Sequence, residues 1–203
     1  MKTKLSLFLL SLIFACTEPT TRVWTEDDRE VLTSYLEASL QSIFDEIIDL
    51  SDSAWLYKAD PTQWSVAEIV EHLIVHDELF YRELTVLSAL EPMPSLPPTS
   101  FALDAEILSY REVTSENRGT SPTYLEPLGR WSDKEAATAA YYTVRTRMIH
   151  YLKTYEGNLR AYYTKSGRGP TEYRDLHQLM LISIAHTERH LSQIRGLEVR
   201  GER

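Results

Sequence analysis

The chain has 203 residues, enough for one domain with a buried core, and 43% of them are hydrophobic, which excludes global disorder. Thirty acidic against 21 basic side chains leave a net charge of −9, so the chain offers no basic surface to a nucleic-acid backbone. One cysteine and seven glycines exclude a disulfide framework, a thiolate metal cluster and a glycine-rich repeat.

In chain order, Lys2 and Lys4 precede an apolar run from Leu5 to Phe14 that only Ser6 and Ser11 interrupt. The run is half the ~20 residues that a membrane-spanning helix needs, and polar residues follow it, so it predicts a signal peptide over residues 1–15. Ala15-Cys16 at its end resembles the lipobox of bacterial lipoproteins. That resemblance implies an acylated Cys16, a tether over residues 16–24 and an exported protein of the cell envelope, in the outer membrane or periplasm. No Asp follows Cys16 to signal retention at the inner membrane. Cleavage before Cys16 removes 15 residues, Lys2 and Lys4 among them, and takes the charge from −9 to −11. An ordinary secretory signal with an incidental cysteine and a buried N-terminal helix are the alternatives.

Helical spacing begins at Thr25, a candidate N-cap before Glu26, Asp27 and Asp28, and Leu32, Leu36, Leu40, Ile43, Ile47 and Leu50 form one apolar stripe. After a break at Asp60-Pro61, Ser65 and Glu68 have capping-box spacing and open a second helix. Its buried face reads as Ile69, Leu73, Leu79, Phe80, Leu84 and Leu87, to about Leu90. Residues 91–130 hold six of the nine prolines, which breaks helical continuity except for a short helix around Ala102 to Val113. Ser132 and Glu135 have capping-box spacing for a third long helix, through Tyr141, Val144, Met148, Tyr151 and Leu152, with Gly157 at its end. Gly167, Gly169 and Pro170 mark a turn, and Thr171 to Leu197 reads as the last helix. No strand-like alternation competes. The fold class predicted is all-α, a four-helix bundle with a long crossover connection between helices two and three, over residues 25–199.

All six histidines fall on predicted helices. His186 and His190 are an i, i+4 pair in phase with Leu176, Leu179 and Ser183, so both imidazoles face the core, where they need partners. A metal ion is one such partner; hydrogen bonds and water are another. His72 and His76 repeat the spacing beside Ile69 and Leu73. In a bundle, facing helices converge to build such sites, and three histidines with an open position are the arrangement of catalytic zinc. His76 reads either as part of the cluster or as solvent-facing beside Asp77 and Glu78. His150 and His177 read as surface or partly buried. Glu71 and Glu188 adjoin the histidines, but adjacent helical residues point about 100° apart, so neither is assigned as a general base. The chain lacks the zinc-deaminase signature, the nucleophile elbow and the P-loop.

Asp60-Pro61 with Trp64-Ser65-Val66-Ala67-Glu68-Ile69-Val70-Glu71-His72-Leu73, followed far along by His186-Thr187-Glu188-Arg189-His190-Leu191-Ser192-Gln193-Ile194, resembles the DinB-like superfamily of four-helix bundles. The resemblance spans residues 25–197. It implies one divalent metal ion, variously zinc, nickel or iron, on His72, His186 and His190. His76 is then a fourth ligand, a supporting group or incidental, and Gln193 matches a polar residue that holds a water or a ring nitrogen. One departure is the loop Lys165-Ser166-Gly167-Arg168-Gly169-Pro170, where many members have His-Pro followed by Gly.

The resemblance further implies a metal-dependent enzyme, either a hydrolase or a thiol-dependent transferase; no residue is assigned as catalytic. Export separates the protein from the cytosolic thiol pool and favours hydrolysis or another chemistry of the envelope over thiol transfer. The alternative is a non-catalytic lipid-tethered binding protein with a structural or vestigial metal site, its ligand surface on residues 91–130 with Tyr110, Tyr124 and Trp131. Expected partners are the membrane, through the lipid anchor, and a small-molecule substrate. Nucleic acid is not expected, and a homodimer is compatible with the sequence.

Overall fold

The computed structural model describes residues 22–58, 60–92, 104–109, 121–165 and 173–198. Four long helices carry the fold: α1 (Glu26–Ile47), α3 (Val66–Ser88), α5 (Lys134–Thr154) and α6 (Leu176–Glu198). Two short helices, α2 (Asp52–Leu56) and α4 (Asp104–Leu108), lie in the connections. The starts of α1 and α3 are capping boxes. Thr25 Oγ1 accepts from Asp28 N while Asp28 returns an acceptor to Thr25 N, and Ser65 and Glu68 make the same exchange. At α5 the cap is Asp133, whose Oδ1 accepts from Ala136 N at 2.6 Å, and not Ser132. That helix ends at Thr154, short of Gly157.

The apolar stripes meet in two clusters. Leu40, Ile43 and Ile47 of α1 pack with the start of α3, the start of α5 and the end of α6; Leu32 and Leu36 pack with Leu84, Met148, Leu152 and the start of α6. Helices α1 and α6 therefore run one way and α3 and α5 the other. α1 packs on α5 and α6, and α3 packs on the same two, so α1 and α3 are diagonal to each other, as are α5 and α6. The neighbours α3 and α5 are parallel, which forces their connection to travel back along the bundle. This is the long crossover expected between the second and third long helices. Its segment α4 packs on α6, with Ile107 buried in the second cluster, and a 3₁₀ turn, Thr123–Leu125, packs on α3.

Two expectations need correction. The last helix begins at Leu176, not Thr171, because Tyr173–Asp175 is strand β2, paired antiparallel with β1 (Tyr163–Lys165). Three residues per strand are too few to show alternation in sequence. On α3, Leu79 is exposed, whereas Ile69, Leu73 and Leu84 are buried and Phe80 and Leu87 half-buried. The proposed signal peptide, Cys16, Tyr110, the 167–170 turn, and all of the expected 102–113 helix except 104–109 lie outside the described residues. Among the described residues no helix is long and apolar enough to cross a membrane.

Candidate metal centre

Helices α3 and α6 are antiparallel neighbours, so the second turn of α3 lies opposite the middle of α6. This brings together His72, His186 and His190, each with a ring nitrogen within 4.8 Å of the others. His72 and His190 are buried and His186 is partly buried. Nε2 of His72 lies 2.9 Å from Nε2 of His186. His72 Nδ1–H donates to the carbonyl of Leu125 at 2.8 Å, and His190 Nδ1–H donates to Gln193 Oε1 at 2.9 Å. Each of these contacts selects the tautomer whose Nε2 keeps a free lone pair, the arrangement seen around ligating histidines.

Burial holds all three imidazoles below the ordinary histidine pKa. His190 falls to about 3, with the neighbouring His72 as the next cause, and His186 falls well below its usual value, helped by His76, His190 and His72. In His72 the same burial outweighs the opposing bond to Leu125. Three neutral nitrogens in a small space are the donor chemistry of zinc, nickel and iron, so the residues fit a divalent ion. The aromatic wall is Trp64, whose ring lies 4.9 Å from that of His72 and 6.2 Å from that of His190.

His76 is buried, so the solvent-facing reading fails. Its ring stacks on His186 at 4.0 Å, yet its nitrogens do not join the group of mutually close donors. Its neighbour Asp77 is also buried. It accepts from Ser183 Oγ at 2.9 Å and pairs with Arg145 at 3.1 Å, and Arg145 donates to Tyr141 Oη and Thr187 Oγ1. Burial pushes the Asp77 carboxyl up, but Arg145, His76 and Ser183 outweigh it and hold the group ionised. Sequence reasoning passed over Arg145, although a charge four residues after Tyr141 and one after Val144, on an apolar stripe, was a visible signal. It also passed over Leu125, which acts through a backbone carbonyl and leaves no side-chain trace.

Glu71 is buried and faces the crossover instead of the histidines. Its carboxylate accepts from the amides of Leu128 and Arg130 at 2.8 and 2.9 Å and from the Arg130 guanidinium at 2.7 Å. Gly129 between them has φ +73°, which turns the two flanking amides toward one anion. Of the residues expected on the crossover surface, Tyr124 is exposed and Trp131 packs partly against the core.

His150 is exposed, but His177 is fully buried at the far end of the bundle. There Asp28, Asp104 and His177 form a second close group of potential ligands. Arg160 already occupies it, reaching Asp28 at 2.7 Å, Asp104 at 2.8 Å and Asp175 at 3.3 Å. A guanidinium among these carboxylates supplies the positive charge that a metal would bring, so the cluster is a structural clasp. His177 Nδ1 accepts from Trp24 Nε1 at 3.2 Å and completes it.

Comparison with known proteins agrees with this geometry. No curated protein sequence matches the chain. Among solved structures, YfiT from Bacillus subtilis, described as a probable metal-dependent hydrolase with an unusual four-helix bundle topology, aligns over 90% of this chain and 92% of its own. The TM-score is 0.58 at 15% identity, which establishes a shared fold. The model of the DinB superfamily matches residues 35–194, a stretch that includes His72, His186, His190 and the whole crossover, and the chain therefore belongs to the DinB superfamily.

Proposed function

We propose that the protein is a metal-dependent hydrolase of the cell envelope, with one divalent ion, zinc, nickel or iron, on His72, His186 and His190. The observation that carries this reading is the meeting of three neutral imidazoles from two antiparallel helices, two of them with Nδ1–H already committed to acceptors. Bound there, such an ion supplies Lewis acidity, polarising a carbonyl and lowering the pKa of a water or thiol. The chain's own groups do the rest. Leu125 and Gln193 orient two rings, Trp64 covers one side of them, and partly buried His186, with more exposed surface than the other two, lies on the side nearest solvent, where a small substrate would enter. Stacked against His186 outside the donor group, His76 does not favour a closed four-ligand structural site. The hydrolytic reading over thiol transfer is supported by the description of the structural relative from Bacillus subtilis and by the signal-like N-terminus.

Elemental analysis of the full-length protein in detergent tests the centre. We expect about one metal ion per chain, lost in His186→Ala/His190→Ala. A metal-free wild type that stays so after incubation with zinc, nickel or iron would overturn the reading. Turnover of esters or amides without thiol supports hydrolysis, and thiol-dependent loss of chlorodinitrobenzene supports the transferase. The lipid anchor has its own test. Cys16→Ser should abolish palmitate incorporation and release the protein from membranes, and labelling that survives the substitution excludes Cys16 as the acylated residue.

A further inference from the structure

Two of the three imidazoles in the centre are fixed by an acceptor on Nδ1; the third, His186, hydrogen-bonds among the described residues only through Nε2, to His72. His72 and His190 have acceptors on Nδ1, in Leu125 and Gln193. Among the described residues His186 has ring contacts in their place, and the flattest is with His76, centroids 4.0 Å apart and planes 15° from parallel. His76 is itself braced, since the ring of Phe80 meets it edge-on at 4.1 Å and 74°. The Arg174 guanidinium carbon of β2 lies 5.4 Å over Phe80, and Arg174 pairs with Glu83 at 3.8 Å. Glu83 also accepts from Thr164 of β1. A column of flat groups thus runs from His186 through His76 and Phe80 to the hairpin.

The χ2 torsion of histidine is broad, so without an acceptor on its second nitrogen an imidazole needs some other contact to fix its ring plane. We propose that His76 is a positioning residue for His186, its stacked ring setting the plane in which His186 Nε2 meets His72 and His190. The proposal rests on the reading that this triad holds a divalent ion. It also assigns His76 a role other than ligand. A nitrogen lone pair lies in the plane of its own ring, so the lone pairs of two stacked, nearly parallel rings run side by side and do not converge on one point.

Cobalt(II) titration of the full-length protein in detergent tests this, read by the visible ligand-field bands and by competition with a chelator. His76→Phe keeps a flat ring without a nitrogen, and His76→Ala removes the ring. We expect His76→Phe to retain wild-type affinity and bands, and His76→Ala to bind about 10–100-fold more weakly with shifted bands, the range over which supporting groups act on metal sites. His76→Leu, which fills volume without a flat face, should behave like His76→Ala and serves if that variant does not fold. Wild-type affinity and bands in the folded Ala or Leu variant overturn the proposal. So does loss of cobalt in His76→Phe as complete as in His186→Ala, which makes the His76 nitrogen a ligand. A wild type that binds no cobalt overturns the metal reading itself, and is recognised before any variant is compared.

Discussion

Glu71 precedes His72 and, one helical step of about 100° away, anchors the crossover that supplies the Leu125 carbonyl to that histidine. Removing the carboxylate leaves two backbone amides and a guanidinium without their acceptor. These donors are only part-buried, so each lost bond costs about 0.5–1.5 kcal/mol and not a full desolvation penalty, and Glu71→Ala should lower unfolding free energy in urea by about 2–4 kcal/mol. Gly129→Ala is the companion test. A Cβ there would meet nothing within 4 Å, so its expected cost of about 1–2 kcal/mol is that of φ +73° alone. At the other end of the bundle, burial and then the Arg160 charge depress His177 to about 4, against the opposing pull of Asp104 and Asp28. The unfolded chain binds that proton near pH 6.5, so between pH 6.5 and 4 it holds more protons than the folded one and stability falls as the pH drops. The contribution reaches about 3 kcal/mol at 1.36 kcal/mol per pKa unit. His177→Gln, which keeps an acceptor for Trp24 and does not titrate, should flatten this part of the stability-pH curve; an unchanged curve assigns the dependence to other groups.

Among the elements, α5 shows how two adequate caps compete. Ser132 with Glu135 and Asp133 with Ala136 are one residue apart, and Asp133 is used. The entry to α5 is determined by contacts distant in sequence. Trp131 packs on the core, and Lys134 Nζ donates to the carbonyls of Ile48 and Leu50, where α1 has no basic residue in its last turn. In thermal melts Asp133→Ala should cost about 1 kcal/mol, while Ser132→Ala should be close to neutral. The reverse order would return the cap to Ser132. The hairpin has a similar origin. Residues 163–165 and 173–175 carry no strand pattern of their own and are strands because they pair with each other.

Across the whole molecule a polar layer divides the two apolar clusters. Ser39, Asp77, Arg145 and Thr187 are buried at the boundary between them on α1, α3, α5 and α6. The Asp77–Arg145 pair fixes the register of α3 against α5, and Ser183 on Asp77 fixes that of α6 against α3. The same register brings His186 and His190 opposite His72. Removing one partner of a buried ion pair strands the other charge, so Arg145→Met should destabilise by about 3–5 kcal/mol, whereas Asp77→Leu/Arg145→Met should recover much of that loss. Urea unfolding of Asp77→Leu, Arg145→Met and the double variant checks this; a double variant as unstable as the sum of its singles would show that the two charges act independently.

Periodicity, caps and prolines determined a great deal by themselves. The stripe Leu32 to Ile47, the Ser65 capping box and the helical phase of His186 and His190 are local properties of 3.6-residue spacing, legible without any partner. With the resemblance that residues 60–73 and 186–194 carry, they were enough for the family, the bundle and the histidine cluster. Only the tertiary structure decided the rest, because it depends on which atoms meet across the bundle. It put the Leu125 carbonyl on His72, buried His177 between Trp24 and Asp104, turned Glu71 to the crossover and laid His76 flat against His186. A backbone carbonyl carries no residue-type signal, and a side chain's partner 50 or more residues away is selected by packing, which the order of residues along a helix does not record.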